Sequence, residues 1–260
     1  MPTITYLPGP GGHRLAGCRT PGRGPGVVFL GGFRSDMTGT KATALEEACR
    51  TAGRAFLRFD YSAHGASEGR FEDGTIGGWA ADAVAMIDAM TDGPQILVGS
   101  SMGGWLMVLA ALARPARVAG LVGVAAAPDF TQDLIWDEIP EAVRRVLRET
   151  GVWHEPSSHD PEPYPITLRL IEEGRQRLVL RAPIPLACPV RLLHGMADRD
   201  VPWTQSQKLL ERLEAADVTL TLVKDGDHRL SRPEDLARLT ATVETLARQV
   251  EAAIAASPSR

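Results

Sequence analysis

At 260 residues, with 44% apolar and 23% charged side chains, the chain has ordinary globular composition and enough length for one large α/β domain carrying an inserted lid. Its 28 basic and 32 acidic groups leave a net charge of −4, which excludes the basic balance expected of a nucleic-acid binder or of a protein held on an anionic membrane. Cys18, Cys49 and Cys188 are odd in number and widely spaced, so a disulfide framework or CxxC metal site is excluded and a reducing compartment is expected.

The amino-terminal "MPTITYLPGPGGHRL" has neither a basic leader with an apolar stretch nor an Arg-rich amphipathic segment. No apolar run reaches the roughly 20 residues that cross a bilayer. The expectation is a cytoplasmic protein without a membrane span.

Further along, short β-rich runs alternate with longer amphipathic stretches, the pattern of a mostly parallel sheet with crossover helices. Strands are predicted at 26–32, 55–62, 95–100, 118–126, 190–195 and 218–226, each apolar enough to be buried on both faces. Helices are predicted near 40–52, 76–90, 102–113, 203–215 and 232–254. In the last, Leu236, Leu239, Val243, Leu246, Val250 and Ile254 recur at helical spacing behind a capping-box pattern, Ser231 with Glu234. Residues 129–187 break the rhythm. They hold a helix-like "IPEAVRRVLRETG", a proline-rich connector "HEPSSHDPEPYP" and a second helix-like "ITLRLIEEGRQR", which together predict an inserted cap over one edge of a single domain spanning 1–260.

The strand at 95–100 runs straight into the helix at 102–113 through "VGSSMGG", so Gly99, Ser101 and Gly103 form G-x-S-x-G in a strand-turn-helix context. So tight a turn strains the central residue and crowds the positions two before and two after it, where glycine removes the collision. The serine hydroxyl is then held above the sheet, beside the backbone N–H of Met102 at the positive end of a helix dipole. A glycine-rich turn with solvated serines, Ser100 included, has the same letters, so the weight of this reading rests on partners.

A serine hydroxyl needs a base to take its proton, and the base needs an anion to fix its tautomer. "LLHGMADRDVPW" presents Asp198 and Asp200 after one predicted strand, and "VKDGDHRLS" presents His228 after the last. Both lie at carboxyl ends of strands, where open α/β sheets build their sites. The loop "VVFLGGFRSDMTG" offers a second oxyanion donor, the N–H of Phe33, behind Gly31 and Gly32. "FDYSAHGASEG" reads as a structural turn, with His64 outside the chemistry.

On these residues the chain resembles the α/β-hydrolase superfamily over nearly all of its length. "GGFRSDMTGTKA", "FLRFDYSAHGASEG", "GPQILVGSSMGGWLM" and "PVRLLHGMADRDVPW" are similar to motifs of one branch, the bacterial relatives of a mitochondrial depalmitoylating thioesterase that also cleaves acyl glucuronides. The resemblance implies the α/β-hydrolase fold, a nucleophile at Ser101 and a general base at His228. In the superfamily pattern H-G-x-x-D-x-x-V-P the acid is the fifth residue, which falls on Asp198.

The function that follows is hydrolysis of an acyl ester or thioester through an acyl-enzyme, on a small molecule or an acylated protein, without metal or organic cofactor. Trp136, Trp153, Leu168 and Ile171 are candidates for an acyl pocket or, alternatively, for packing within the lid. Arg169, Arg175, Arg177 and Arg181 are candidates for receiving an anionic leaving group or, alternatively, a solvated helix face. Two other readings stay open: lactone hydrolysis or perhydrolysis on the same triad, and a ligand-binding module that turns nothing over.

Overall fold

The computed structural model describes residues 3–156 and 163–256. Its strands are β1 (Thr5–Pro8), β2 (Arg14–Thr20), β3 (Arg23–Leu30), β4 (Arg54–Phe59), β5 (Gln95–Ser100), β6 (Val118–Val124), β7 (Val152–Glu155), β8 (Tyr164–Thr167), β9 (Val190–Gly195) and β10 (Val218–Val223). The helices are α1 (Thr40–Thr51), α2 (Ile76–Met90), α3 (Met102–Ala113), α4 (Glu141–Thr150), α5 (Leu168–Gly174), α6 (Thr204–Arg212) and α7 (Pro233–Ala256). Eight strands form one sheet in the order β1-β2-β4-β3-β5-β6-β9-β10. β1 and β2 pair antiparallel, β2 and β4 also antiparallel, and every other pairing in this sheet is parallel.

The central strands carry unbroken apolar runs because both faces are covered, and strand alternation decides which layer each residue joins. Val27, Phe29, Ile96, Val98, Val122 and Val124 pack with Ala42 and Leu45 of α1 and Leu239, Val243 and Leu246 of α7. Their neighbours Val28, Leu30, Leu97 and Leu121 turn the other way, onto Trp79 and Met86 of α2 and Trp105 and Leu106 of α3.

Two departures from the expected elements have physical reasons. β1 and β2, which form the antiparallel edge, were not expected. β1 is mostly exposed, and β2 mixes Arg14, Gly17 and Arg19 into its run, so neither shows a buried strand's pattern. The last helix starts at Pro233, one of the residues best suited to a first helical position, so Ser231 is not its cap. The Ser231 hydroxyl instead donates to the carbonyl of Arg229 at 3.0 Å.

Between β6 and β9 the chain leaves the sheet. Residues Thr131–Trp136 form a π-helical turn, α4 follows, β7 and β8 pair as a hairpin, and α5 packs back on α2 and on the π turn. The buried Asp129 carboxylate ties this segment's far end to its start, accepting the N–H groups of Val179 at 2.8 Å and Leu180 at 2.9 Å. The expected helices at 139–151 and 166–177 correspond to α4 and the shorter α5. The hairpin between them is hidden in the sequence because its two strands are only four residues each and the second carries Pro165; residues 157–162 of "HEPSSHDPEPYP" lie outside the described residues.

Candidate active site

β5 ends at Ser100 and α3 begins at Met102, leaving Ser101 alone to make the turn at φ +54°, ψ −119°. A non-glycine residue there costs on the order of 1–3 kcal/mol and is sustained by surrounding contacts. Ser101 N–H donates to Val124 O at 2.9 Å, and its carbonyl accepts from Gly104 N–H at 2.8 Å and Ala127 N–H at 3.0 Å. The flanking glycines are steric necessities. A Cβ at Gly99 would lie 2.2 Å from the Gly103 carbonyl oxygen, and one at Gly103 would lie 2.1 Å from that of Leu30. Ser100 is buried, whereas Ser101 is partly exposed to the cavity above the sheet.

Two loops from neighbouring parallel strands meet Ser101. β9 and β10 approach so closely at their ends that a Cβ on Gly195 would fall 2.1 Å from the Gly226 carbonyl oxygen. That contact holds the Asp198 and His228 loops side by side. His228 Nε2 lies 3.1 Å from Ser101 Oγ, and His228 Nδ1 lies 2.8 Å from Asp198 Oδ2. The structure therefore brings Ser101, His228 and Asp198 into one hydrogen-bonded chain. Asp200 stands aside: its N–H donates to Asp198 Oδ1 at 2.9 Å and it is exposed at the rim.

His194 belongs to the same network and was not singled out from the sequence. Wholly buried at the end of β9, its Nε2–H is shared between Asp198 Oδ2 at 3.1 Å and Val201 O at 3.0 Å, while Nδ1 takes the Ser206 hydroxyl at 2.7 Å. These partners select the Nε2–H tautomer, because a carbonyl and a carboxylate only accept. A histidine ending a buried strand four residues before an aspartate is the sequence signal that pointed to it.

Asp198 thus accepts four N–H groups, two on each oxygen, the other two coming from Asp200 and Val201. Burial pushes its carboxyl up, but hydrogen bonds from His194 and His228, the charge of His228 and the Val201 N–H outweigh burial and hold it well below the usual carboxylate range. Asp198, Asp200 and His228 also offer ligand atoms within 4.8 Å of one another. With both Asp198 oxygens doubly occupied, a cation there would have to displace existing bonds.

On the other side of Ser101 runs the loop after β3. A Cβ built on Gly32 would lie 3.4 Å from Ser101 Cβ, so the Phe33 peptide sits next to the serine. Met102 N–H is one of the donors that the first turn of a helix leaves without an internal partner. The Phe33 ring packs edge-on against Phe71, Trp79, Phe130 and Tyr164, and Phe33 borders the cavity over Ser101.

The cavity over Ser101 has a volume of about 670 Å³. The segment after β6 supplies apolar wall from Phe130, Leu134, Ile135 and Ile166, while Asp36 of the β3–α1 loop, Lys41 at the start of α1 and Arg229 of the β10–α7 loop also line it. Lys41 Nζ donates to Arg229 O at 2.5 Å, and burial lowers its pKa to about 8 against the opposing pull of Asp227. Of the two readings of the apolar lid residues, the structure favours packing over lining the cavity. Ile171 is buried among core residues, Trp153 packs against that core, and Trp136 lies under Arg144, Arg148 and Arg175, whose guanidinium carbons are 4.5–5.6 Å from its ring centre. Leu168, the first residue of α5, does not line the cavity either. The arginines are engaged locally: Arg175 with Gln132, Arg177 with Glu173, and Arg181 with Asp133. Arg169 is exposed, and none of the four lines the cavity.

Strand order and serine elbow together define an α/β hydrolase, and the chain belongs to the alpha/beta hydrolase family, whose profile matches residues 27–239. Among individual proteins, it is 44% identical over 247 residues to the mitochondrial palmitoyl-protein thioesterase ABHD10 of Bos taurus, covering 94% of this chain and 80% of that one. The solved structure of alpha/beta hydrolase domain-containing protein 10 from mouse superposes with a TM-score of 0.89 at 40% identity, covering 95% of this chain and 99% of that one. A putative hydrolase from Agrobacterium vitis S4 superposes at 0.91 with 42% identity and the same coverages. The mammalian relative's name places it in mitochondria, which does not match the cytoplasmic expectation. Among the described residues no helix is long and apolar enough to cross a membrane.

Proposed function

We propose that the chain is a serine hydrolase of acyl esters and thioesters working through an acyl-enzyme. The observation that carries this reading is the hydrogen-bonded series Ser101–His228–Asp198 with Ser101 held at positive φ between strand and helix. Ser101 Oγ attacks the acyl carbonyl as His228 Nε2 takes its proton; Asp198 keeps the Nδ1–H tautomer and stabilises the imidazolium. The N–H groups of Phe33 and Met102 receive the oxyanion, His228 returns the proton to the departing thiol or alcohol, and water repeats the sequence to free the acid.

Thioesters are the favoured class because the similar curated proteins are named palmitoyl-protein thioesterases and the wall from Phe130, Leu134, Ile135 and Ile166 suits an alkyl chain. Residues 129–187 act as a cap set into a single domain, and their apolar side selects the acyl group. The three free thiols fit a reducing compartment, the cytoplasm on the composition; fractionation of cells expressing the full chain decides between it and the mitochondrial location of the relatives.

The test is mass labelling with a fluorophosphonate on the wild type and Ser101→Ala, followed by turnover of an acyl series as oxyesters, thioesters and lactones. One adduct on Ser101, absent from the variant and accompanied by thioester turnover, is expected. Selective lactone turnover would move the proposal to that chemistry. Unlabelled but folded protein that binds acyl ligands stoichiometrically would make it a binding module.

A further inference from the structure

The loop that carries Phe33 is held by three side chains that the acyl-transfer scheme leaves unused. Ser35 N–H donates to Gly32 O at 3.2 Å, closing a four-residue turn over Gly32–Ser35. Its third residue, Arg34, has φ +56°, a conformation that ordinarily selects glycine or asparagine at that position. Hydrogen bonds from the turn's own Ser35 side chain and from Tyr61 and His64 outside it hold it there. The Ser35 hydroxyl donates to Gly32 O at 2.7 Å, the buried Tyr61 hydroxyl donates to Gly31 O at 3.2 Å, and Arg34 N–H donates to His64 Nε2 at 3.3 Å.

These contacts decide where the Phe33 N–H points. A trans peptide is planar, with its C=O and N–H directed oppositely. Because the Gly32 carbonyl is drawn toward Ser35 by two donors, the Phe33 N–H of the same peptide is turned the other way, and Gly32 borders Ser101.

His64 has its protonation state written into its surroundings. Nδ1 lies 3.1 Å from Ser62 O, which can only accept, so Nδ1 carries the proton. Nε2 faces the Arg34 N–H, which can only donate, so Nε2 carries none. The ring is 3% exposed and stands edge-on to Tyr61, Phe71 and Trp79. Burial, aided by the charge of Arg34, lowers its pKa to about 4 against the opposing bond to Ser62, so the ring is neutral near pH 7. Behind it, Ser62 is pinned by its N–H and hydroxyl to Asp82 of α2 at 2.9 and 2.6 Å, and its carbonyl also accepts Trp79 Nε1–H at 3.1 Å. The turn is thereby anchored to a core helix rather than left as a surface loop.

We infer that His64, with Tyr61 and Ser35, is a positioning residue: as a neutral hydrogen-bond acceptor it holds the β3–α1 turn so that the Phe33 N–H is aimed at the oxyanion before substrate arrives. The inference rests on the proposed acyl-transfer chemistry and extends it to residues that touch no substrate. Removing one oxyanion donor typically costs about 10²–10³ in rate, and loosening one costs a part of that.

Expected for His64→Phe, which keeps the aromatic packing and removes the acceptor, is a kcat about 10–100 times lower with KM changed less than about twofold. Ser35→Ala and Tyr61→Phe, each lacking one hydroxyl, should lose about 3–10-fold, and His64→Gln, which retains an acceptor and a donor, should recover most of the His64→Phe loss. An alkyl boronic acid, whose adduct presents a tetrahedral oxyanion, should lose affinity across these variants in parallel with kcat/KM. Rates within twofold of wild type in Ser35→Ala and Tyr61→Phe as well as His64→Phe, or falling rates with unchanged boronate affinity, would overturn the brace. A separate readout stands apart from catalysis: ¹⁵N shifts of wild-type His64 should report a neutral Nδ1–H ring from pH 5 to 9. A cationic or Nε2–H ring overturns the brace even in a chain that hydrolyses thioesters, whereas the expected ring in a chain without Ser101-dependent turnover leaves the brace standing and removes only the acyl-transfer reading.

Discussion

The sheet edge that carries Ser101, Asp198 and His228 and the described residues between 129 and 187, the proposed roof over it, are built in different ways. At the edge, backbone meets backbone: Gly99 against Gly103, Gly103 against Leu30 and Gly195 against Gly226, with no room for a Cβ. In the roof, position is held by side chains acting singly, such as the Asp129 carboxylate on Val179 and Leu180 or the three guanidinium groups around Trp136. Backbone contact of the first kind tolerates no substitution, while contacts of the second kind can be exchanged one at a time. On the proposed function, the chemistry is therefore the fixed part of this molecule and the acyl selection its adjustable part, a contrast open to direct attack.

The largest effect is expected at the edge. Ser101→Ala should lower kcat for a thioester by about 10⁵-fold or more, in line with losses seen when such a nucleophile is removed from an intact triad. Asp198→Asn should cost about 10⁴-fold by presenting the wrong hydrogen-bonding group to His228 Nδ1–H. The same variant carries a pH signature. Asp198 is held below its unfolded value of about 3.9, so its bonds contribute full stability above that value and lose it as pH falls through the folded value. The difference in melting temperature between wild type and Asp198→Asn should be constant from pH 6 to 8 and shrink below about pH 4.

Gly103→Ala comes next. Its methyl group would sit 2.1 Å from the Leu30 carbonyl oxygen, so β3 or α3 must shift, and overpacking of this kind costs about 1–3 kcal/mol. For a chain of this length that lowers the midpoint by roughly 3–10 °C in a thermal melt. Gly151, at φ +80° with nothing near its Cβ position, provides the contrast from the roof. Alanine there meets only the intrinsic cost of the left-handed conformation, about 1–2 kcal/mol, with activity retained. Equal losses of activity in the two variants would erase the distinction between edge and roof.

The same contrast explains what was readable in the sequence. The parallel strands and their helices follow from apolar runs ended by glycine, and Gly99, Ser101 and Gly103 could be read as an elbow because steric crowding leaves a fixed spacing behind. Asp198 was separable from Asp200 only through resemblance, since two aspartates in one loop are chemically equivalent until the backbone decides which side chain turns inward. His194 was legible and overlooked. At Trp136, Trp153, Leu168 and Ile171 the sequence leaves acyl pocket and lid packing both open, because size and apolarity mark burial without saying against what. Trp136 is covered by arginines eight or more residues away in the chain, and Ile171 belongs to the core beneath α5. His64 looked structural and is placed so, but its hydrogen-bond polarity depends on two backbone groups that no spacing announces.

The smallest expected effects come from the roof, and a pair of substitutions separates wall from scaffold. Leu134 is half-buried and faces the cavity. Leu134→Trp should remove room for two or three methylenes of a long chain, each worth about 0.8 kcal/mol when buried. The ratio of kcat/KM for a hexadecanoyl over an octanoyl thioester should then fall by about 10–60-fold, while turnover of the octanoyl substrate stays within about threefold of wild type. Trp136, two residues further along the same π turn, lies under Arg144, Arg148 and Arg175 instead of over the substrate. Trp136→Leu gives up cation–π contacts of about 0.5–1 kcal/mol each at partly exposed positions, offset in part by the apolar replacement. A melting temperature lowered by a few degrees with the chain-length ratio unchanged is the expected result. A shift of that ratio by tenfold in Trp136→Leu, with none in Leu134→Trp, would mean that the acyl chain leaves by the other side of the turn and that the wall assigned to Leu134 belongs to Trp136.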